Sequence, residues 1–323
     1  MRRELKIETE VLKENYQLYL GDCLEVMKII PDKSVDMILT DLPYGTTRCA
    51  WDVIIPFDKL WNHYNRIVKD EGIIVLFGSQ PFTTKLIFSN IENFRYEIIW
   101  QKNNCSNFQL ANVQPLKYHE NICIFYNDII QDCFSKIIKE NMKKLNLKQS
   151  DLSKLCLSKN GKPTGWLSNK LKGTQIPTRE QWDKLCKVFG ISNEYDKILC
   201  NIKNHTYNKS VNRCNKVCNN KGKAGKLGHL STKEDIYVQE YENYPHSIVT
   251  FDREINTVHP TQKPVSLLEY LIKTYTNENE IILDSCMGSG STGVAALNLN
   301  RKFIGIELNE EYFEISKKRI EEI

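Results

Sequence analysis

Residues 280–297, "EIILDSCMGSGSTGVAAL", read as a buried strand, a glycine-rich loop and the start of a helix. Gly288, Gly290 and Gly293 have the spacing G-x-G-x-x-G, which lets a ligand approach the backbone at a helix N-terminus. Glu307 ends the next predicted strand, where a carboxylate can accept hydrogen bonds from both hydroxyls of a ribose. The pattern predicts a nucleotide-type ligand site, although a tight strand-to-helix turn alone would also use these glycines.

The position of this loop distinguishes two ligands, a dinucleotide and S-adenosylmethionine. A dinucleotide fold opens with such a loop and then needs several more β-α units, but only 16 residues follow Glu307. Asp284 precedes the glycines, where a carboxylate suits the positively charged amino-acid end of S-adenosylmethionine and opposes a pyrophosphate. We therefore expect S-adenosylmethionine as the cofactor, and we expect the strands that complete the sheet to lie earlier in the chain.

Apolar strands alternate with helices on both sides of a different central region. The runs 35–39 and 72–78 are apolar and β-branched, and residues 57–69 between them have helical spacing. This alternation predicts an α/β fold with a mostly parallel, Rossmann-like sheet. We assign 1–127 to the first part of this domain and 246–323 to the second part.

Residues 128–245 form the predicted insert. Its first part, 131–200, has only helical patterns, whereas 201–245 is rich in Asn, Lys and Gly and predicts a basic linker or loop. The insert contains 22 Lys and Arg against 12 Asp and Glu, a net charge of +10, and the rest of the chain has a net charge of −6. Such a basic middle is typical of a polyanion-binding module, but a lysine-rich solvated surface would give the same count.

Composition restricts the class of protein. No apolar run approaches the roughly 18 residues of a membrane helix, and the start has no apolar stretch like that of a signal peptide. The eleven cysteines have no paired framework, so we expect reduced thiols in a cytoplasmic protein. Cys214 and Cys218 are close in sequence but lack partners that would complete a zinc set, so we expect no metal site.

A second informative stretch is "TDLPYGT" at 40–46, which follows an apolar strand. Asp, Pro and Gly commonly end strands, so a plain turn is one interpretation of Asp41, Pro43 and Tyr44. In a parallel sheet, however, these residues would lie at the same edge as the glycine loop. The two motifs together therefore favour one shared functional site.

The ordered set of motifs resembles that of a known family, the amino-group DNA methyltransferases of the circularly permuted β class. In these enzymes the catalytic motif precedes the cofactor motif, and a variable recognition region separates them. Two departures are Leu42, where the family usually has Pro, and Ser285 with Cys286, where it usually has Pro and Phe. The matching pieces, in order, are "LYLGDCLEVM", "DLPYG", "GIIVLFGS", "FRYEIIWQKN", "VHPTQKPVSLLEYLI", "ILDSCMGSGSTG", "FIGIELNEEYF" and "SKKRI".

The resemblance implies a role for each matching residue. The Asp41 carboxylate and the Pro43 carbonyl would hold the two hydrogens of an exocyclic amino group, and Tyr44 would stack on the base after it leaves the duplex. The residues implied to bind S-adenosylmethionine are Asp22 at the adenine, Glu307 at the ribose, Asp284, Gly288 and Gly290 at the methionine end, and Cys23, Cys286 and Lys263 elsewhere in the pocket.

The resemblance also bears on substrate and partners. N4-cytosine enzymes usually begin the catalytic motif with Ser, so Asp41 favours N6-adenine in double-stranded DNA, with N4-cytosine as the alternative. C5-cytosine enzymes need a Pro-Cys dipeptide, and none of the ten prolines precedes a cysteine. The resemblance also makes a cognate restriction endonuclease a candidate partner.

Part of the insert resembles a repressor-type helix-turn-helix. "QSDLSKLC" would be its first helix and "PTGWLSNKL" its recognition helix, which could read base edges in the major groove. The candidate DNA contacts are Thr164, Ser168, Asn169 and Lys170. This leaves a competing hypothesis, a helix-turn-helix regulator that carries a degenerate methyltransferase frame. Intact motifs at both ends of the chain argue against it.

Overall fold

The computed structural model describes residues 9–47, 52–106, 108–126, 129–155, 166–172, 175–201, 205–210, 212–220, 235–254 and 262–323. The strands are β1 (Thr9–Leu12), β2 (Tyr16–Leu20), β3 (Val35–Thr40), β4 (Val68–Gly78), β5 (Phe94–Ser106), β6 (Lys117–Phe125), β7 (Asn212–Asn220), β8 (Asp235–Glu242), β9 (Ile248–Thr250), β10 (Ile281–Asp284) and β11 (Lys302–Glu307).

The helices alternate with these strands outside the central region and follow one another within it. They are α1 (Cys23–Val26), α2 (Phe57–Ile67), α3 (Phe82–Ser89), α4 (Ile129–Lys144), α5 (Gln149–Ser153), α6 (Trp166–Leu171), α7 (Arg179–Phe189), α8 (Tyr195–Asn201), α9 (Val265–Tyr275), α10 (Ser291–Asn298) and α11 (Glu310–Glu321). Among the described residues, we find no helix that is both long and apolar enough to span a membrane.

Nine of these strands form one sheet in the order β1, β2, β11, β10, β3, β4, β6, β5, β9. Strands β2, β11, β10, β3 and β4 are parallel to one another, and β6 runs antiparallel between β4 and β5. The late strand β10 therefore lies beside the early strand β3, as the α/β interpretation of the sequence requires. The predicted mostly parallel, Rossmann-like sheet is confirmed.

Helices cover both faces of the sheet. Every residue from 72 to 78 in β4 is buried, which explains why this run is continuously apolar. One face packs against α9, α10 and α11 through residues such as Leu271 and Phe313. The other face packs against α1, α2 and α3 through residues such as Tyr64 and Leu86. The carboxyl ends of the five parallel strands remain uncovered by these helices and form one edge.

The helices of the insert have a hydrophobic core of their own. The first helix of the insert, α4, contacts α6, α7 and α8. This core shares no described member with the two clusters that pack on the sheet, which is typical of a separate packed layer. The fully or nearly fully buried members are Phe134, Ile138, Leu152, Trp166, Leu167, Trp182, Leu185, Cys186, Phe189 and Tyr195.

The two ends of this helical insert meet at one place on the sheet domain. The ring of Tyr126, directly after β6, lies 3.9 Å from the ring of His205, which follows α8. Asn208 then fixes the returning chain to the end of α9, where its Nδ2 donates to the carbonyl oxygens of Lys273 and Thr276. The insert thus begins and ends beside the same part of the core.

The region 201–245 differs from the predicted linker. Strands β7 and β8 pair there as an antiparallel ribbon, from Asn212 opposite Glu242 to Asn220 opposite Asp235. The sequence analysis relied on the scarcity of apolar residues in 201–230. Two antiparallel strands form hydrogen bonds between their backbones whatever side chains they carry, so low apolar content did not exclude a ribbon.

Candidate active site

Four acidic side chains lie where neighbouring parallel strands end. Asp22 follows β2, Asp41 follows β3, Asp284 ends β10 and Glu307 ends β11. Because these strands are parallel, their carboxyl ends meet at one edge of the sheet. All four residues line a cavity of about 520 Å³ at this edge. That volume lies within the range of about 300–1,000 Å³ that small-molecule sites usually have.

The cavity also brings together most of the residues singled out from the sequence. One exception is Gly290, which is not among the lining residues; a Cβ there would lie 2.8 Å from the Cβ of Ser316 on α11. Its φ of +75° is also a conformation that favours glycine, so packing and the turn explain this residue. The predicted residues that line the cavity are Asp22, Cys23, Asp41, Pro43, Tyr44, Lys263, Asp284, Cys286, Gly288 and Glu307.

The Asp41 carboxylate is held by two donors. Its Oδ1 accepts a hydrogen bond of 2.6 Å from the Tyr44 hydroxyl, and its Oδ2 accepts one from the Lys263 ammonium. The Tyr44 ring packs beside that of Phe82, with 4.9 Å between the ring centroids. Burial, followed by the charge of Asp41, raises the pKa of Tyr44 well above its ordinary value, so its hydroxyl remains a donor.

The loop that follows Tyr44 is fixed by Asp52, which the sequence analysis missed. Its carboxylate accepts backbone hydrogen bonds from Gly45, Thr46 and Thr47, at 2.8, 2.9 and 2.6 Å. Burial opposes ionisation of Asp52, but a hydrogen bond from the Thr47 side chain together with these backbone hydrogen bonds outweighs it and lowers the pKa. The side chain lies several residues after the motif, so no short pattern marks it. Its effect is to restrict the backbone beside Asp41 and Tyr44.

A buried chain of alternating charges extends from Asp41. The Nζ of Lys263 lies 3.5 Å from Glu120 Oε2, and Glu120 Oε1 accepts a hydrogen bond from Lys102. The exposed fractions of the four side chains are 23% for Asp41, 8% for Lys263, 15% for Glu120 and 7% for Lys102. We call Asp41, Lys263, Glu120 and Lys102 the ionic chain.

Lys102 and Glu120 were not predicted as site residues. They lie on the adjacent strands β5 and β6, where Gln101 pairs with His119. Each charged residue is separated from the apolar part of its strand by one polar residue, in "IIWQK" and "HENICIF". That position is the only signal in the sequence, and strand pairing was needed to bring the two side chains together.

Each member of the ionic chain affects the ionisation of the next. Burial acts to raise the pKa of Glu120, but Lys263 and Lys102 together lower it to about 2. Burial acts to lower the pKa of Lys263, but the carboxylates of Asp41 and Glu120 raise it. Burial raises the pKa of Asp41, with Lys263 opposing this shift and Glu120 adding to it. At neutral pH Glu120 is therefore ionised and Lys263 is protonated.

The start of the glycine loop is held by buried hydroxyls. The backbone N–H of Ser285 donates to Thr40 Oγ1 at 3.1 Å, and the Ser285 hydroxyl lies 2.6 Å from the Tyr64 hydroxyl. The polar residue found at 285 therefore has partners in this protein. Asp284 is only 3% exposed, and burial raises its pKa to about 7. Its Oδ1 accepts from the N–H of Cys286 at 3.1 Å.

Glu307 connects its own strand to the glycine loop. Its Oε2 accepts from the N–H of Gly288 and its Oε1 from the N–H of Asn309, both at 2.8 Å. Burial raises the pKa of Glu307, and these backbone hydrogen bonds oppose the shift. The carboxylate therefore positions the loop and also lines the cavity.

Asp22 and the two cysteines occupy the neighbouring wall. Asp22 is the N-cap of α1, and its side chain accepts from the N–H of Leu24 at 2.8 Å. Cys23 and Cys286 are free thiols. Hydrogen bonding to Cys23, followed by burial, raises the pKa of Cys286 well above its ordinary value, so its thiol is protonated at neutral pH. The wall is thus small and weakly polar at the place where the resembling family has an aromatic ring.

The candidate DNA contacts of the insert differ in how exposed their side chains are. Thr164 lies outside the described residues, Ser168 is half-buried and Asn169 is exposed. Lys170 is buried, and its ammonium donates to the side-chain oxygen of Gln175 at 2.9 Å. The prediction that Lys170 reads base edges therefore needs revision, because helical spacing alone did not show that its side chain turns inward.

Comparisons with known proteins match most of this chain to one family. The family model N6_N4_Mtase, described as DNA methylase, matches residues 35–318. The Type II methyltransferase M.HinfI of Haemophilus influenzae is 25% identical over 97% of this chain and 72% of its own length. The Type II methyltransferase M2.LlaDCHI of Lactococcus lactis subsp. cremoris is 56% identical over 62 residues, which are 19% of this chain and 23% of that protein.

The matches at about 50% identity are short. The alignments with the first four curated relatives cover between 23% and 29% of those proteins. Among solved structures, the M1.HpyAVI-SAM complex superposes with a TM-score of 0.50 and 22% identity, covering 94% of this chain and 99% of that chain. This likeness extends over the whole fold.

Proposed function

Because the chain belongs to the N6_N4_Mtase family of DNA methylases, we propose that it is a site-specific DNA methyltransferase that acts on the N6 amino group of adenine. The observation that carries this proposal is the Asp41 carboxylate, which lines the same cavity as the glycine loop. A carboxylate at this place can accept a hydrogen bond from an amino group and orient its nitrogen. The intact cavity and ionic chain oppose the alternative of a regulator with a degenerate frame.

The cofactor is S-adenosylmethionine, and the cavity fits it. When bound, it supplies a methyl group on a positively charged sulfur. The buried Asp284 carboxylate lies beside the glycine loop, where it can hold the cationic amino-acid end. Glu307 can accept hydrogen bonds from the ribose, and Asp22 lies next to the wall assigned to the adenine. Carboxylates and backbone carbonyl groups can accept hydrogen bonds both from the cationic amino group of the cofactor and from its two ribose hydroxyls.

The residues around Asp41 account for the activation of an amino group. Asp41 and the backbone carbonyl of Pro43 can each accept one of its hydrogens, which turns the nitrogen lone pair towards the methyl group. Tyr44 offers an aromatic face to the displaced base, a contact of about 1–3 kcal/mol. Methyl transfer leaves the nitrogen with a positive charge until one proton departs, and Asp41 is placed to accept that proton. No covalent bond between protein and base is needed.

We expect the methylated product to be N6-methyladenine. The purified protein is incubated with unmethylated genomic DNA and S-adenosylmethionine, and the digested nucleosides are separated by mass spectrometry. The expected result follows from Asp41, since the related cytosine enzymes usually have Ser at this position. A product containing only N4-methylcytosine would reject adenine as the target while leaving the assignment of Asp41 as an amino-group acceptor in place.

We expect Glu307→Ala to weaken S-adenosylmethionine binding by roughly tenfold to a hundredfold, because hydrogen bonds to a charged group are worth about 1.5–3 kcal/mol. Calorimetric titration of the cofactor measures the effect. Glu311→Ala is the matched control, because Glu311 is an exposed glutamate four residues along the chain. Unchanged affinity in Glu307→Ala would mean that this carboxylate supports the Gly288 loop without contacting the ligand.

We further propose that the helices of 129–201 contact duplex DNA and that the chain has the circularly permuted motif order. The basic charge of the insert supports the first statement, and the late strand β10 beside β3 supports the second. Within α6, we retain Ser168 and Asn169 as candidate base contacts. The relatives named as Type II methyltransferases make a cognate restriction endonuclease a reasonable partner to seek.

A further inference from the structure

We propose that Glu120 is a positioning residue for methyl transfer, which acts through Lys263 on the Asp41 carboxylate. This inference rests on the proposed function, because it assigns Asp41 to the target amino group. The geometry that carries it is the ionic chain, in which Lys263 lies between two carboxylates. Lys102 occupies the far side of Glu120 and completes a neutral set of four charges.

The burial of the ionic chain makes its balance important. Lys263 and Lys102 have side chains that are only 8% and 7% exposed, so water screens their charges weakly. If Glu120 were neutral, Asp41 would be the one remaining carboxylate of the ionic chain against two ammonium groups. The full attraction of Lys263 would then fall on Asp41, and its oxygens would become weaker acceptors for another donor. Glu120 thus leaves Asp41 available to the substrate.

The ionic chain acts by charge and does not relay protons. Two buried ammonium groups keep the pKa of Glu120 near 2, so Glu120 does not take up a proton at neutral pH. Lys263 in turn has a raised pKa and does not release one. The protonation states of both residues therefore stay constant during the reaction, and within the ionic chain the residue whose ionisation changes with pH is Asp41. Asp284, whose pKa is raised to about 7, also titrates in the neutral range, but it does so in the unchanged protein and in the Glu120 variants alike.

The groups that face Asp41 fix the sign of the expected pH effect. Lys263 lies before α9, Glu120 is on β6, Tyr44 is on the following loop, and Asp284 is on β10. Glu120 is a negative charge that raises the pKa of Asp41, whereas Lys263 lowers it. Removing the charge of Glu120 therefore lowers the pKa of Asp41. Since Asp41 must be ionised to accept the amino group, the acid side of the rate profile should move to lower pH.

The test is Glu120→Gln in the full chain, assayed with S-adenosylmethionine and DNA from pH 5 to 9. We expect kcat at the plateau to fall by about tenfold and the acid limb to move down by about one pH unit. KM for the cofactor should change little. Glu97→Gln is the matched control. Glu97 lies on β5 and its carboxylate accepts a hydrogen bond from the Asn121 side chain, but it is not a member of the ionic chain. Its pH profile should match that of the unchanged protein.

A second variant separates positioning from simple charge balance. Glu120→Gln combined with Lys102→Met removes one charge of each sign and leaves Lys263 with Asp41. If Glu120 acts through Lys263, this double variant regains thermal stability but keeps the low plateau and the displaced acid limb. If Glu120 only neutralises Lys102, the double variant recovers the normal profile, and the proposal is overturned.

The same assay distinguishes failure of this inference from failure of the proposed function. Absence of methyl transfer by the unchanged protein would remove the function itself. Normal methyl transfer with an unshifted profile in Glu120→Gln would remove only the role of Glu120. Should Glu120→Gln not fold, Glu120→Asp keeps the charge, and we expect it to keep the normal acid limb; a limb displaced in Glu120→Asp would then contradict the proposal.

Discussion

Asp41→Ala is expected to reduce methyl transfer by about 10²-fold or more, while S-adenosylmethionine affinity changes no more than a few fold. Asp41 is partly buried at the wall of the cavity and accepts hydrogen bonds from Tyr44 and Lys263. Its removal would leave the target amino group without a fixed acceptor, so the nitrogen lone pair would no longer be held in line. The cofactor contacts assigned to Asp284 and Glu307 would remain.

Two measurements make this expectation specific. Transfer of a radiolabelled methyl group to DNA reports the reaction, and calorimetry reports cofactor affinity in the same preparation. Asp58→Asn is the control, because Asp58 is an exposed aspartate at the start of α2. Substantial turnover in Asp41→Ala would contradict the role of Asp41, and an equal loss of cofactor affinity would assign it to the cofactor pocket.

The position of Asp41 could be predicted because strand polarity and motif order carry that information. An apolar run ending in an acidic turn predicts a strand and its carboxyl end, and parallel strands place such ends together. The same reasoning brought Asp284 and Glu307 to the cavity, and the structure has all three lining it. Short-range patterns were therefore enough to predict that these three residues lie at the edge of the sheet.

What could not be predicted depends on contacts between distant parts of the chain. Lys102, Glu120 and Lys263 lie on β5, on β6 and before α9, and only the fold gives their ion pairs. Asp52 bonds three backbone N–H groups of a loop, which leaves no pattern in residue type. Lys170 carries a charge that favoured exposure, yet its side chain is buried beside Gln175. In each case a side-chain direction decided the outcome.

The second large effect is expected from excising the helical insert. Replacing residues 129–201 with a Gly-Ser linker of about six residues should leave the sheet folded and cofactor affinity unchanged. The structure supports this design at both junctions, because the Tyr126 and His205 rings lie 3.9 Å apart. The helices removed have their own core, whose described members are separate from the two clusters that pack on the sheet.

The excised protein should lose its preference for one DNA sequence, since contacts to base edges carry specificity. Binding should also weaken and depend less on salt, because the lysines that displace counterions are gone. Sequencing that detects modified bases gives the methylated motif. Asn169→Ala in the intact chain is the finer test, because it should reduce the discrimination at one base position of the motif by about 1–3 kcal/mol.

An alternative reader is the loop between β5 and β6, where Phe108 and Val113 are 73% and 76% exposed. This loop leaves β5 and enters β6 at the carboxyl edge, near the cavity, whereas the insert joins the sheet after Phe125, which pairs with Ile74 and Phe94 at the opposite end. If the loop reads the bases, the excised protein methylates the unchanged motif. If the insert reads them, its helices must extend from their junction to the DNA that the cavity holds, and methylation spreads over many sequences when they are removed.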